Sequence, residues 1–185
     1  MTFGDRVVGA LKLDANTFED IERDPNAMGQ AVAIIALAAL AGNLGQIWRL
    51  GFGVMLIGVC SSLIGYVLWS VVVWLAGTKL MPDPATKADF AETFRTIAFA
   101  ASPGLLGIVS IVPFLGWFVM LLLTPIILIW SLVAMVVAVR SVLDYSDTFK
   151  AVVVVLIGFV VYLFFWGTIA FLTFGAAVVG GMFGR

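Results

Sequence analysis

The side chains that catalyse reactions or bind metals are scarce in this sequence. Histidine is absent, which removes the commonest general base and the commonest transition-metal ligand together. Cys60 is the single cysteine and lies inside an apolar run, so no intramolecular disulfide, CxxC or Cys/His cluster is available. No Gly-rich phosphate loop and no nucleophile–base spacing is present. Carboxylates are concentrated near the start, at Asp14, Glu19, Asp20, Glu22 and Asp24, where they suit a solvated face that a soluble partner could use. No Asp, Glu or Lys falls at the centre of a long apolar run, so the usual mark of ion-coupled transport is missing. Arg95 lies near the start of such a run and reads as an interfacial anchor that snorkels. The expectation is a protein that is not an enzyme, with no catalytic, cofactor-binding or metal-ligating residue and no cofactor.

The remaining residues of interest shape helices. Ser102-Pro103-Gly104 and Thr124-Pro125 interrupt apolar runs, and a proline there removes a backbone donor and bends the helix. Pro103 is expected to bend its span with helix continuing on both sides; the alternative is a re-entrant turn. Gly58 with Ser62, and Ser61 with Gly65, place small residues four apart, which lets helix backbones approach closely. Internal packing is the ordinary use of such pairs and an oligomer interface the alternative.

The elements that carry these residues belong in a membrane. Of the 185 residues, 63% are hydrophobic and 11% charged, and the mean hydropathy is +1.16. A soluble chain of this size needs a polar shell that these charges cannot make. A net charge of −1 provides no basic field for nucleic acid. Residues 1–24 have no long apolar core and do not read as a cleavable signal peptide. The fold class is all-α: a polytopic integral membrane protein, a five-transmembrane-helix bundle with a short N-terminal amphipathic or interfacial segment. Residues 1–26 form a cytoplasmic segment and residues 27–185 the membrane domain, with spans at about 27–47, 52–75, 93–112, 117–139 and 150–174. The stretch from Leu105 to Val139 also reads as one long span plus a re-entrant piece, but Pro113 and Gly116 stand where two ordinary spans would meet.

Local signals mark the helix ends. Phe3, Val7, Val8 and Leu11 share one face of a short helix, which lies either on the membrane or on the protein's own cytoplasmic face. Thr17 with Asp20 forms a capping box, Asp24-Pro25 starts the first span, Thr86 with Asp89 starts the helix leading into the third, and Ser146 caps the fifth. Gly180, Gly181 and Gly184 form a glycine-rich tail. Trp48 and Trp117 suit the outer aromatic belt and Trp74 the inner. With the N-terminus inside, every lysine and arginine except Arg49 and Arg185 faces the cytoplasm, which places the C-terminus outside and, in a prokaryote, the protein in the cytoplasmic membrane.

The leader LKLDANTFEDIERDPNAMGQA, the RTIAFAASPGLL stretch around Pro103 and IWSLVAMVVAVRSVLDYSDTFKAVVVVL resemble, in order and spacing, the Yip family of membrane proteins, and in particular its short prokaryotic branch. The resemblance covers nearly the whole chain. It implies five spans, a cytoplasmic N-terminus, no catalytic activity and association with protein partners. Eukaryotic members associate with prenylated Rab GTPases and with one another. Their Gly-Tyr before the third-span proline is Ala98-Phe99 here, their Asp-Leu-Tyr-Gly-Pro segment near the first span has no counterpart, and their long N-terminal domain is missing, so Rab binding transfers to no residue. The implied role is a membrane scaffold or adaptor. An accessory subunit of a larger membrane complex and a transport protein for lipid or another apolar solute are the alternatives. Expected partners are membrane lipids and either a membrane protein or a second copy of the chain.

Overall fold

The computed structural model describes the backbone of residues 1–183 and the side chains of residues 1–172 and Gly175. Eight α-helices and no strand occur among the described residues: α1 (Phe3–Leu11), α2 (Ala15–Arg23), α3 (Ala27–Asn43), α4 (Gln46–Arg49), α5 (Phe52–Leu75), α6 (Phe90–Ala100), α7 (Leu115–Val142) and α8 (Thr148–Phe183). A π turn extends α5 through Ala76–Leu80, and a 3₁₀ helix over Ser102–Ile111 follows α6. Ala27–Arg49, α5 with its π turn, α7 and α8 are each long and apolar enough to cross a membrane, and the bent pair of α6 and the 3₁₀ helix, counted as one span, makes a fifth. The protein is an all-α, multi-pass integral membrane protein.

Helix α6 lies at the centre. Every residue from Thr93 to Ala100 is buried, and α2, α3, α5 and α7 pack around it. Its polar side chains are reconciled with that position by local bonds: the Thr93 hydroxyl donates to the Asp89 carbonyl at 2.8 Å and the Thr96 hydroxyl to the Glu92 carbonyl at 2.8 Å. Beyond Ala100 the chain bends by 44°. The 3₁₀ helix rises about 2.0 Å per residue against 1.5 Å in α6, so 21 residues reach about 36 Å, enough for the hydrocarbon. At its far end the Trp48 indole N–H donates to the Ile111 carbonyl at 2.8 Å and the Gly45 N–H to the Ser110 hydroxyl at 3.1 Å. The segment after Pro103 therefore advances to the far end of α3. Beyond the bend the chain continues as 3₁₀ rather than α-helix.

Several helix starts differ from the sequence reading. Asp14, not Thr17, caps α2: its carboxylate accepts from the Asn16 N–H and from the Thr17 hydroxyl. Asp24-Pro25 forms a turn before α3, with Asp24 accepting from the Asn26 N–H, and the helix begins at Ala27. Asp89 and Glu92 make the capping box of α6, while the Thr86 hydroxyl donates to the Leu143 carbonyl. Asp147 accepts from the Phe149 N–H at the start of α8, and the Ser146 hydroxyl turns instead to Asp83. At α2, α6 and α8 a carboxylate takes the free helix N–H, and the hydroxyl chosen from sequence makes another bond. Gly180 and Gly181 lie within α8, which runs on to Phe183; Gly184 and Arg185 lie outside the described residues.

Candidate functional site

Among the described residues, every charged side chain but Arg49 lies toward one end of the bundle. Helices α1 and α2, the loop from Met81 to Asp89, the end of α7 and the start of α8 form a cap there. Helix α1 packs on the protein itself: Phe3 meets Phe99 edge to face at 6.1 Å, and the Trp130 indole donates to the Leu11 carbonyl at 3.0 Å. Arg6 ties the cap together and is 2% exposed. Its Nε and Nη2 donate to one oxygen of Asp20 at 3.0 and 2.8 Å, Nη2 also donates to Asp24 at 2.6 Å, and Nη1 donates to the Gln30 side chain at 2.9 Å. These bonds hold the Asp24 carboxyl below its ordinary range. A second tie joins the loop to α8: Lys150 and Ser146 both bond Asp83, and the Lys150 bond holds the Asp83 carboxyl below its ordinary range. The Tyr145 hydroxyl donates to the Met81 carbonyl at 2.7 Å and lies 3.1 Å from the Gly77 carbonyl.

Arg95 departs from its expected role. It is buried under α2 rather than snorkelling, because α6 is enclosed on all sides. Its Nη2 donates to the Glu22 carbonyl at 2.6 Å, and its Nε is buried without a partner. Above it, burial raises the Glu22 carboxyl to about 7, with Asp144 and Glu92 adding to the rise and Arg23 opposing it.

This gives the first prediction. The folded Glu22 keeps a proton that the unfolded chain releases near its ordinary value of 4.5. Stability therefore falls as pH rises from about 4.5 to 7. Asp24 and Asp83, with lowered pKa values, act in the opposite sense and only at more acid pH. Replacing Glu22→Gln is expected to flatten the decline and add on the order of 1 kcal/mol at pH 8 after solvent screening. Thermal unfolding in detergent at pH 5.5 and pH 8 measures it, and an unchanged difference between the two pH values contradicts it.

The small residues of α5 face two neighbours. Ser62 accepts from the Asn43 side-chain N–H at 3.1 Å and donates to the Gly58 carbonyl at 2.9 Å. A Cβ on Gly58 would collide with Asn43, and one on Gly65 would touch the Tyr162 ring of α8 at 3.0 Å. Ser61 is buried. Gly58 and Ser62 thus pack on α3, and Gly65 packs on α8. Pro103 opens the 3₁₀ helix, whereas α7 continues as one helix through Pro125. Cys60 is exposed on the surface of α5. Among the described residues no group of three or more Cys, Asp or Glu is placed to hold a metal ion.

The cap ties could not be read from local spacing. Arg6 meets partners 14, 18 and 24 residues away, and Arg95 meets Glu22 across 73. The spacing that marks α1 sets Arg6 apart from the apolar face of Phe3, Val7, Val8 and Leu11, and so gave no sign of its burial.

No curated protein and no solved structure matches the chain. A family model described as the Yip1 domain matches residues 9–182, nearly the whole sequence, and the chain belongs to that family.

Proposed function

We propose that the protein is a non-enzymatic membrane scaffold or adaptor whose folded cap docks a protein partner on the cytoplasmic side. Residues 1–26 supply much of the cap, and residues 27–185 anchor it through five spans, with the C-terminus outside. The orientation follows from positive charge: every lysine and arginine except Arg49 and Arg185 lies in or next to the cap. One observation carries the docking role. All 11 carboxylates lie in three segments, 5–24, 83–92 and 144–147, that fold into one surface. A preorganised charged surface steers a complementary partner and pays little ordering entropy on contact. Family membership in Yip1 agrees with a role in protein association.

Copurification from native membranes in mild detergent tests this reading. Glu19→Lys combined with Lys87→Glu reverses two solvent-facing charges of the cap without touching the Arg6 or Asp83 ties. The wild-type protein is expected to retain a stoichiometric partner, and the double variant to retain about tenfold less at equal thermal stability. A partner retained equally by both, and crosslinked to the lipid-facing sides of the spans, identifies an accessory subunit of a larger complex and overturns docking on the cap.

A further inference from the structure

At the end of the bundle opposite the cap, a cleft of about 440 Å³ opens between α3–α4, the end of the 3₁₀ helix and the first turns of α7. A second hollow of about 320 Å³ lies deeper and shares Gly42, Met120 and Thr124 with it. Three features define the outer cleft. Its walls are mostly apolar, with Leu121, Met120 and Pro125 along α7. Its mouth is framed by Trp48 and Trp117, the aromatic residues that favour a membrane interface. Finally, Arg49 stands at that mouth, with its guanidinium carbon 6.0 Å from the centroid of the Trp117 ring.

The charge pattern makes Arg49 unusual. It is the only charged side chain in residues 25–78, and residues 96–139 and 151–172 contain none. Every side-chain carboxylate belongs to the cap at the other end, so no Asp or Glu among the described residues reaches Arg49. The guanidinium ion-pairs with no described residue, and its fork of donors matches the oxygens of a phosphate. Near the low-dielectric membrane edge that attraction is stronger than in water. The cleft itself exists because of glycine. A Cβ on Gly107 would come within 2.9 Å of the Gly42 backbone, so the 3₁₀ helix and α3 touch there. A Cβ on Gly42, by contrast, would meet nothing within 4 Å. The side chain missing at Gly42 leaves the hollow open where the outer and deeper spaces join.

We infer that this cleft binds one anionic glycerophospholipid, with its phosphate on Arg49 between Trp48 and Trp117 and an acyl chain running past Gly42 along α7. An apolar trough with one cation at its interfacial mouth, ion-paired with no described residue, suits an amphipathic anion, and the bilayer supplies that molecule at high local concentration. A free phosphate ion lacks the apolar part that the trough would cover.

The test uses the full-length protein in detergent and native mass spectrometry with dioleoyl phosphatidylglycerol, dioleoyl phosphatidylcholine and inorganic phosphate as probes. Wild type is expected to retain one phosphatidylglycerol with about tenfold preference over phosphatidylcholine, and no phosphate. Arg49→Gln is expected to abolish the preference between the two lipids, and Arg49→Lys to keep part of it. Gly42→Leu places its Cβ in open space and improves helix propensity, so it is expected to reduce retention of both lipids about tenfold while the protein stays folded. Equal retention of both lipids by the wild type overturns the charge assignment. Phosphatidylglycerol retention that survives both Arg49→Gln and Gly42→Leu reflects annular lipid only and overturns the site. Retention of inorganic phosphate by the wild type overturns the lipid assignment.

Discussion

Arg6→Ala is expected to cost about 3 kcal/mol and to open the cap while the spans stay folded. The side chain is 2% exposed, so its removal leaves both a void and unpaired groups. Asp20 and Asp24 lose their cation, and the Gln30 side chain loses its donor. Removing one partner of a fully buried pair costs about 3–5 kcal/mol; the carboxylates here keep 37% and 31% of their side-chain exposure, which places the cost at the lower end. Amide hydrogen exchange reads the result, with protection over residues 3–23 falling about 100-fold relative to α5, since each 1.36 kcal/mol is tenfold. Arg6→Lys keeps the charge but not the fork that reaches three partners, so it is expected to lose an intermediate amount. Unchanged protection in Arg6→Ala would show that α1 is held by the packing of Phe3 on Phe99 and the hydrogen bond from Trp130 to the Leu11 carbonyl, and not by the ion network.

The apolar runs made the long helices legible because length and hydropathy are set locally. Helix α5 covers Phe52–Leu75, the stretch marked off by Gly51 and by the polar residues after Leu75. The ends were harder to read. Thr86 with Asp89 and Asp89 with Glu92 are both reasonable capping patterns, and the choice depends on where the preceding loop runs. That loop is held by the Thr86 bond to Leu143, a contact across 57 residues that no local pattern shows. The switch from α to 3₁₀ after Ala101 was equally hidden, since an apolar segment with little amphipathicity has no face whose period could distinguish three residues per turn from 3.6.

Glycine shows the same limit at the candidate sites. Gly42, Gly45, Gly107 and Gly116 look alike in the sequence. A Cβ on Gly107 or Gly116 would strike backbone of a neighbouring segment, and one on Gly45 would strike Ser110. Gly42 alone among these faces open space. A close contact and a vacant trough are both made by omitting a side chain, and only the position of the neighbouring segment tells them apart.

Ser102→Ala is expected to cost about 2–3 kcal/mol, and Pro103 is the reason. In an uninterrupted α-helix the N–H of residue 103 would donate to the carbonyl of Phe99. Proline has no such donor. The Ser102 hydroxyl, fully buried, donates to that carbonyl at 2.6 Å and so replaces the missing bond. Phe99 itself is 0% exposed, and without the hydroxyl its carbonyl keeps only a share of the Ala101 N–H, which also serves Ala98, so it carries much of its desolvation penalty, about 1–3 kcal/mol and toward the upper end at membrane depth. The two residues should therefore be coupled. In a Pro103→Ala background residue 103 regains an N–H that can serve Phe99, and the loss of the serine hydroxyl matters less. A double-mutant cycle on thermal unfolding in detergent is expected to show Ser102→Ala costing at least 1 kcal/mol less in that background than in the wild type. Pro103→Ala alone also relaxes the 44° bend against α3, so its own cost comes from repacking and not from a lost hydrogen bond. Strictly additive costs would mean that the hydroxyl acts independently of the proline, and the bend would then have to be held by packing of the 3₁₀ helix on α3 and α7 alone.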